Sequence, residues 1–123
     1  LVVLRSVHAF LILNAYPYAP GHLMAVLNRH VATLGEARPD ELADAMALVQ
    51  RGVAVLTAEY RAEGFNVGLN AGRVAGAGIE DHMHVHVVPR WFGDHNFIGV
   101  LGDTRVLPED LATTWERLRS RVA

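Results

Sequence analysis

His82-Met83-His84-Val85-His86-Val87-Val88 sets imidazoles and apolar side chains in strict alternation before Pro89 closes the run. Alternation with period two marks a β-strand with one buried face, because successive Cβ atoms point to opposite sides of a sheet. The pattern predicts Met83, Val85 and Val87 in a core. His82, His84 and His86 then form a row on the other surface, about 6.8 Å apart along the strand. Pro89 has no N–H to give a ladder and is expected to end the strand.

Working outward, Ala71-Gly72-Arg73-Val74-Ala75-Gly76-Ala77-Gly78 lies just upstream of the histidines. Its glycines permit positive φ and expose backbone N–H groups, which a loop around phosphate oxygens requires. The stretch lacks the G-x-x-x-x-G-K-[ST] pattern and joins a strand over Phe65 to Asn70 to the histidine strand, so it is no dinucleotide fingerprint. Before it, Leu42, Met46, Val49, Val53, Leu56 and Tyr60 recur at spacings of three and four. They predict a helix from Pro39 to Ala62 with Gly64 as a left-handed cap and Gly52 at a close approach to the sheet. The first third predicts strands at Val2 to Leu4, Ala9 to Asn14 and His22 to Leu27, with a turn over Tyr16 to Gly21. Trp91 to Gly102 reads as a long loop. Pro108 opens a second helix with Leu111, Trp115, Leu118 and Val122 on one face. The expected fold class is α+β, one antiparallel sheet with helices on a face, in a single domain over residues 1–123.

The 123 residues, with 51% hydrophobic side chains and a net charge of -2, suit one core and not two. Apolar runs such as Ala9 to Leu13 fall far short of the ~20 residues a spanning helix needs. No basic stripe offers itself to a nucleic-acid backbone or an anionic membrane. The expectation is a cytoplasmic chain with neither partner. The absence of cysteine excludes disulfides and thiolate zinc sites within this stretch.

Three imidazoles in a row admit three readings. They fill the polar face of a half-buried strand. Alternatively, two of them form half of a metal site, since backbones about 13.5 Å apart at the ends of the row cannot all converge on one ion; Asp81 and Asp94 are the nearby carboxylates. In the third reading a neutral imidazole attacks phosphorus while its neighbours hold the oxygens. The central His84 is then the nucleophile, and the adjoining glycine-rich segment favours this reading.

The row fits the His-φ-His-φ-His-φ-φ signature and resembles the histidine triad (HIT) family of nucleotide hydrolases and transferases. Asn14-Ala15-Tyr16-Pro17-Tyr18-Ala19-Pro20-Gly21-His22 is similar to that family's Asn-to-Pro-Gly-His segment. Pro89-Arg90-Trp91, Gly93-Asp94, Asn96-Phe97 and Val106-Leu107-Pro108 resemble its bacterial diadenosine tetraphosphate phosphorylase branch. The resemblance implies five antiparallel strands, one long helix and a C-terminal helix, paired into a homodimer or larger homo-oligomer through the long helix and an edge strand. It implies that His84 forms a nucleotidyl-histidine intermediate on a dinucleoside polyphosphate, supported by His82 and His86. Asn14 would contact the ribose and His22 would line the site. Asn70 and the backbone of Ala77 and Gly78 would hold phosphate oxygens, and Trp91 would face the nucleotide. No metal is required at the histidines; magnesium would accompany the substrate as counterion. Phosphorolysis of diadenosine tetraphosphate to ADP and ATP, with inorganic phosphate as second substrate, is the implied reaction. Hydrolysis of dinucleotides or phosphoramidates, or nucleotide binding with little turnover, are the alternatives. One departure bears on that choice: Gly78 stands where the family usually has Gln or Ser, and Ala77 replaces a common glycine.

Overall fold

Alternating apolar side chains build β1 (Val2–Arg5), β2 (Ala9–Leu13) and β3 (Leu23–Leu27), which pair antiparallel in sequence order. The computed structural model describes residues 1–76, 82–94 and 109–123. β4 (Gly64–Gly68) and β5 (His84–Arg90) complete a five-stranded antiparallel sheet in the order β1-β2-β3-β5-β4. The histidine strand is therefore interior, with Val26 opposite His84 and Met24 opposite His86 on one side. Gly68 stands opposite His86 on the other.

One face of this sheet is the core. Leu11, Leu13, Leu23, Leu27, Val85 and Val87 are buried there beneath α1 (Pro39–Tyr60), and α2 (Leu111–Val122) packs beside α1 and β1 with Leu118 fully buried. The other face carries Phe10, Ile12, Met24, His84 and His86, all half-buried. The alternation read from the sequence is thus the alternation observed.

Three expectations are corrected. β5 does not stop at Pro89, which pairs with Phe65, and the strand runs on to Arg90. The proline is tolerated because β3 pairing ends at Val87, leaving that stretch a single neighbour. The left-handed cap of α1 is Arg61 at φ 53°, not Gly64, which opens β4. The buried face of α1 is Ala45, Leu48, Val49, Gly52, Val55 and Leu56, whereas Met46 of the expected stripe is 51% exposed. Small residues decide this rotation. A Cβ at Gly52 would stand 3.3 Å from Leu23 Cδ1 and 3.5 Å from Leu11 Cδ2, so the helix lies against the sheet where its side chains vanish.

Charged groups fix the helix ends. Glu41, 1% exposed, accepts the Arg38 N–H at 2.8 Å and a two-pronged contact from Arg29 beyond β3 at 2.8 and 3.0 Å. The Arg29 guanidinium, more than the Arg38 N–H, brings its carboxyl down to about 2. Asp110 caps α2 by accepting the Thr113 N–H. Pro108, expected to start that helix, lies outside the described residues. Arg117 joins Glu59 of α1 to Glu109, and Arg121 adds a second contact to Glu59. Trp115 and Arg119 donate to the carbonyls of Val2 and Val3, at 2.7 and 3.1 Å. The free edge of the sheet at β1 is thereby covered in part.

Candidate active site

The site is assembled from β5, the end of β3 and the loop between β2 and β3. His84 Nδ1 lies 3.0 Å from the backbone oxygen of His82. A carbonyl only accepts, so the Nδ1 of His84 carries a proton, and in the neutral form of the ring the lone pair is on Nε2. His82 Nε2 donates to the Leu27 oxygen at 2.7 Å. The Met83 N–H bonds Val31 at 2.8 Å, so His82 is held both by its ring and through the chain beside it.

His86 meets a fourth imidazole. His22 is fully buried, with Nε2 2.9 Å from His86 Nδ1, while its own Nδ1 accepts the Tyr18 N–H at 3.1 Å. The backbone donor settles the tautomers. His22 must carry its proton on Nε2 and give it to His86, whose proton then sits on Nε2, free to face a ligand. Burial, then the neighbouring His86 and His84, lowers the His22 pKa from 6.5 to about 4. Burial and His84 lower that of His86 in the same direction. Both imidazoles are therefore neutral at pH 7, and they form a chain of donated hydrogen bonds that ends at the His86 Nε2–H. His84 and His86 meet edge to face, with ring centroids 4.8 Å apart.

Asn14 joins this group. Its Nδ2 lies 3.5 Å from His22 Nε2, and its Oδ1 accepts the Tyr16 N–H at 2.8 Å in a turn of the chain. Gly21, at φ +82°, aims the backbone into His22 in a conformation few other residues accept. Asn70 stands two residues beyond Gly68, past the end of β4. Its side chain donates to the Gly76 oxygen at 3.4 Å, across a 3₁₀ turn at Arg73–Ala75 flanked by Gly72 and Gly76 at positive φ. Ala77 and Gly78, expected to hold phosphate oxygens, lie outside the described residues, as does Asp81.

Trp91 is not brought to the histidines. It follows β5 five residues after His86, about 17 Å along the strand. There its indole N–H caps α1 by donating to the Tyr60 oxygen at 3.0 Å. Arg90 and Asp94 pair at the same end, with Arg90 also donating to Asn66. Asp94 is therefore placed with Arg90 and not with the imidazoles. Among the described residues no three His, Cys, Asp or Glu side chains are grouped as a metal site.

Two residues escaped the sequence reading. His30, beyond the end of β3, stacks on His82 with centroids 5.3 Å apart. Tyr18 lies over His22 and His86, at 4.9 and 6.2 Å. A hint existed for His30, since a histidine just past a strand that pairs with the histidine row falls at the same end of the sheet. Tyr18 had none, because its role depends on the path of the loop.

Residues 1–93 match the family model described as the HIT domain. An AP-4-A phosphorylase of Mycobacterium tuberculosis strain H37Rv is 46% identical over 124 residues, covering 95% of this chain. The chain spans 64% of that relative's length. A bis(5'-nucleosyl)-tetraphosphatase [asymmetrical] of Schizosaccharomyces pombe is 34% identical over 63% of this chain and 42% of its own length. Among solved structures, a hypothetical histidine triad nucleotide-binding protein from Sulfolobus tokodaii superposes with a TM-score of 0.76 at 28% identity, covering 97% of this chain and 78% of that one. With the alternating histidine strand, the five-strand order and these matches in agreement, the chain belongs to the histidine triad (HIT) family.

Proposed function

We propose that the protein transfers a nucleotidyl group from a dinucleoside polyphosphate, with diadenosine tetraphosphate as substrate and inorganic phosphate as acceptor. The observation that carries the reading is the bond from His84 Nδ1 to the His82 oxygen, which holds the ring's proton on Nδ1 and makes Nε2 the nitrogen available for attack. His84 Nε2 attacks the α-phosphorus, the P–N bond forms and the P–O bond to ATP breaks. The His86 Nε2–H, held by the His22 Nε2–H behind it, hydrogen-bonds the departing oxygen and stabilises the negative charge that develops there as ATP leaves. A phosphate oxygen then attacks the same phosphorus, the P–N bond breaks, ADP leaves and His84 is restored. His82 acts through its carbonyl. Asn14 and Asn70 orient ribose and phosphate, with the backbone of Ala77 and Gly78 as further donors. Phe10, Ile12, Met24 and Val26 provide an apolar floor beside the histidine row on which a nucleobase rests.

Residues 1–123 act as one domain in this reading, in the cytoplasm. No helix among the described residues is long and apolar enough to cross a membrane. The protein works as a homodimer, a reading supported by the exposed Val67 on the β4 edge and Met46 on α1. Magnesium enters only with the polyphosphate.

The test incubates the protein and His84→Ala with diadenosine tetraphosphate, with and without phosphate, and separates the products by ion exchange. ADP plus ATP, formed only with phosphate and absent in the variant, is the expected result. AMP plus ATP regardless of phosphate makes water the acceptor. Nucleotide binding without product from any dinucleotide overturns the catalytic reading.

A further inference from the structure

We propose that Tyr18 is a positioning residue for this reaction, its backbone N–H and its ring together holding His22, and through it His86, in the arrangement that leaves the His86 Nε2–H facing the substrate. The inference rests on the reading of the histidines given above. Tyr18 is 75% exposed, so core packing does not account for where its ring lies. The ring nonetheless sits 4.9 Å from the His22 centroid at 36°, and 6.2 Å from that of His86 at 26°. Its N–H is the donor that fixes the His22 tautomer. The loop is built to keep it there. Pro17 and Pro20 restrict φ on either side, Asn14 holds the Tyr16 N–H, and the His22 N–H bonds the Ala19 oxygen.

The ring's contribution is to keep water from a pair of imidazoles that must stay neutral and directional. Among the described residues, the titratable groups facing the pair are His84 on β5 and Tyr18 itself; β3 offers Met24, β4 offers Gly68 and the loop offers Asn14. Burial is the largest influence on both histidines. A tyrosine face also attracts an imidazolium, which acts in the opposite sense by about half a pH unit. Burial moves His22 from 6.5 to about 4, so admission of water sets the sign when the ring is removed.

The experiment compares the full chain with Tyr18→Phe and Tyr18→Ala. It records the imidazole ¹⁵N titrations of His22 and His86 in the substrate-free protein, and kcat/KM against pH with diadenosine tetraphosphate and phosphate. Tyr18→Phe should superimpose on the parent. Tyr18→Ala should move both titrations, and the acid limb of kcat/KM, toward neutrality by about one pH unit, with kcat at pH 6 falling more than KM rises. Titrations in Tyr18→Ala that stay in place or move to lower pH overturn the proposal, as does a loss of melting temperature with the acid limb unmoved. Tyr18→Ser, read the same way, serves if the alanine variant does not fold. Retention of activity in His84→Ala would instead sink the underlying reaction, while the substrate-free titrations still decide what Tyr18 does to the pair.

Discussion

Acidification from pH 7 to pH 5 should destabilise the fold, and His22 should be the main reason. The folded-state pKa of His22 is depressed from 6.5 to about 4 because the ring is fully buried beside two other imidazoles. As pH falls below 6.5 the unfolded chain binds a proton that the folded chain refuses. The stability is present in full above 6.5 and drains away down to about pH 4. A fall from 6.5 to 4 corresponds to about 3 kcal/mol, of which about 2 kcal/mol is lost by pH 5. His86, depressed in the same direction, adds to the slope. The carboxylates do not compete in this window. Glu41, lowered from 4.5 to about 2, sheds stability only below 4.5. Urea unfolding followed by tryptophan fluorescence at half-unit steps from pH 7.5 to 5 measures the slope. His22→Gln, which keeps a side-chain amide in the same place, should flatten it by about one proton. A free energy that is constant between pH 7 and 5, or an equal slope in the variant, would refute the argument.

Two further changes test the scaffold. Gly21→Ala forces φ +82° on a residue with a Cβ and sets that carbon 2.6 Å from Leu56 Cδ2, so thermal unfolding should report a loss of about 2 to 3 kcal/mol. Trp115→Phe keeps an aromatic ring but removes the indole N–H from the Val2 oxygen; a loss of about 1 kcal/mol in denaturant unfolding is expected, with β1 amides exchanging faster.

Much of the fold was legible because it is written in large side chains. Period two over Val85 and Val87 named both the strand and its buried face, with Met83 buried just before β5 begins at His84, and the spacing of Leu111, Trp115, Leu118 and Val122 named α2 and its inner side. The errors come from residues with little side chain. The close approach expected at Gly52 is observed against Leu23 and Leu11, but Ala45 and Gly52 carry little hydrophobic weight, so the buried face they share falls partly outside the stripe of larger residues and Met46 is turned outward. Gly64 looked like a helix stop because glycine commonly adopts positive φ. Arg61 takes that conformation instead, three residues earlier, where its N–H still reaches the Thr57 oxygen. The expectation for Trp91 rests on the family resemblance and not on spacing; within this chain a strand rises about 3.3 Å per residue, and five residues past His86 its indole N–H meets the Tyr60 oxygen.

The site divides along the same line. The positions of His82, His84 and His86 follow from side-chain order, and His22 follows once β3 is paired with β5. Their chemistry does not, because it is set by main-chain groups. One carbonyl, that of His82, fixes the proton of His84. One N–H, that of Tyr18, fixes the proton of His22 and so that of His86. Reversing either tautomer while keeping every residue would leave the same four imidazoles without an outward-facing lone pair on His84 or without an outward-facing proton on His86. A substitution that moves the Tyr18 N–H or the His82 carbonyl by an ångström should therefore cost more turnover than its small effect on stability suggests. The loop from Asn14 to His22 and the two residues before β5 are where such substitutions will act.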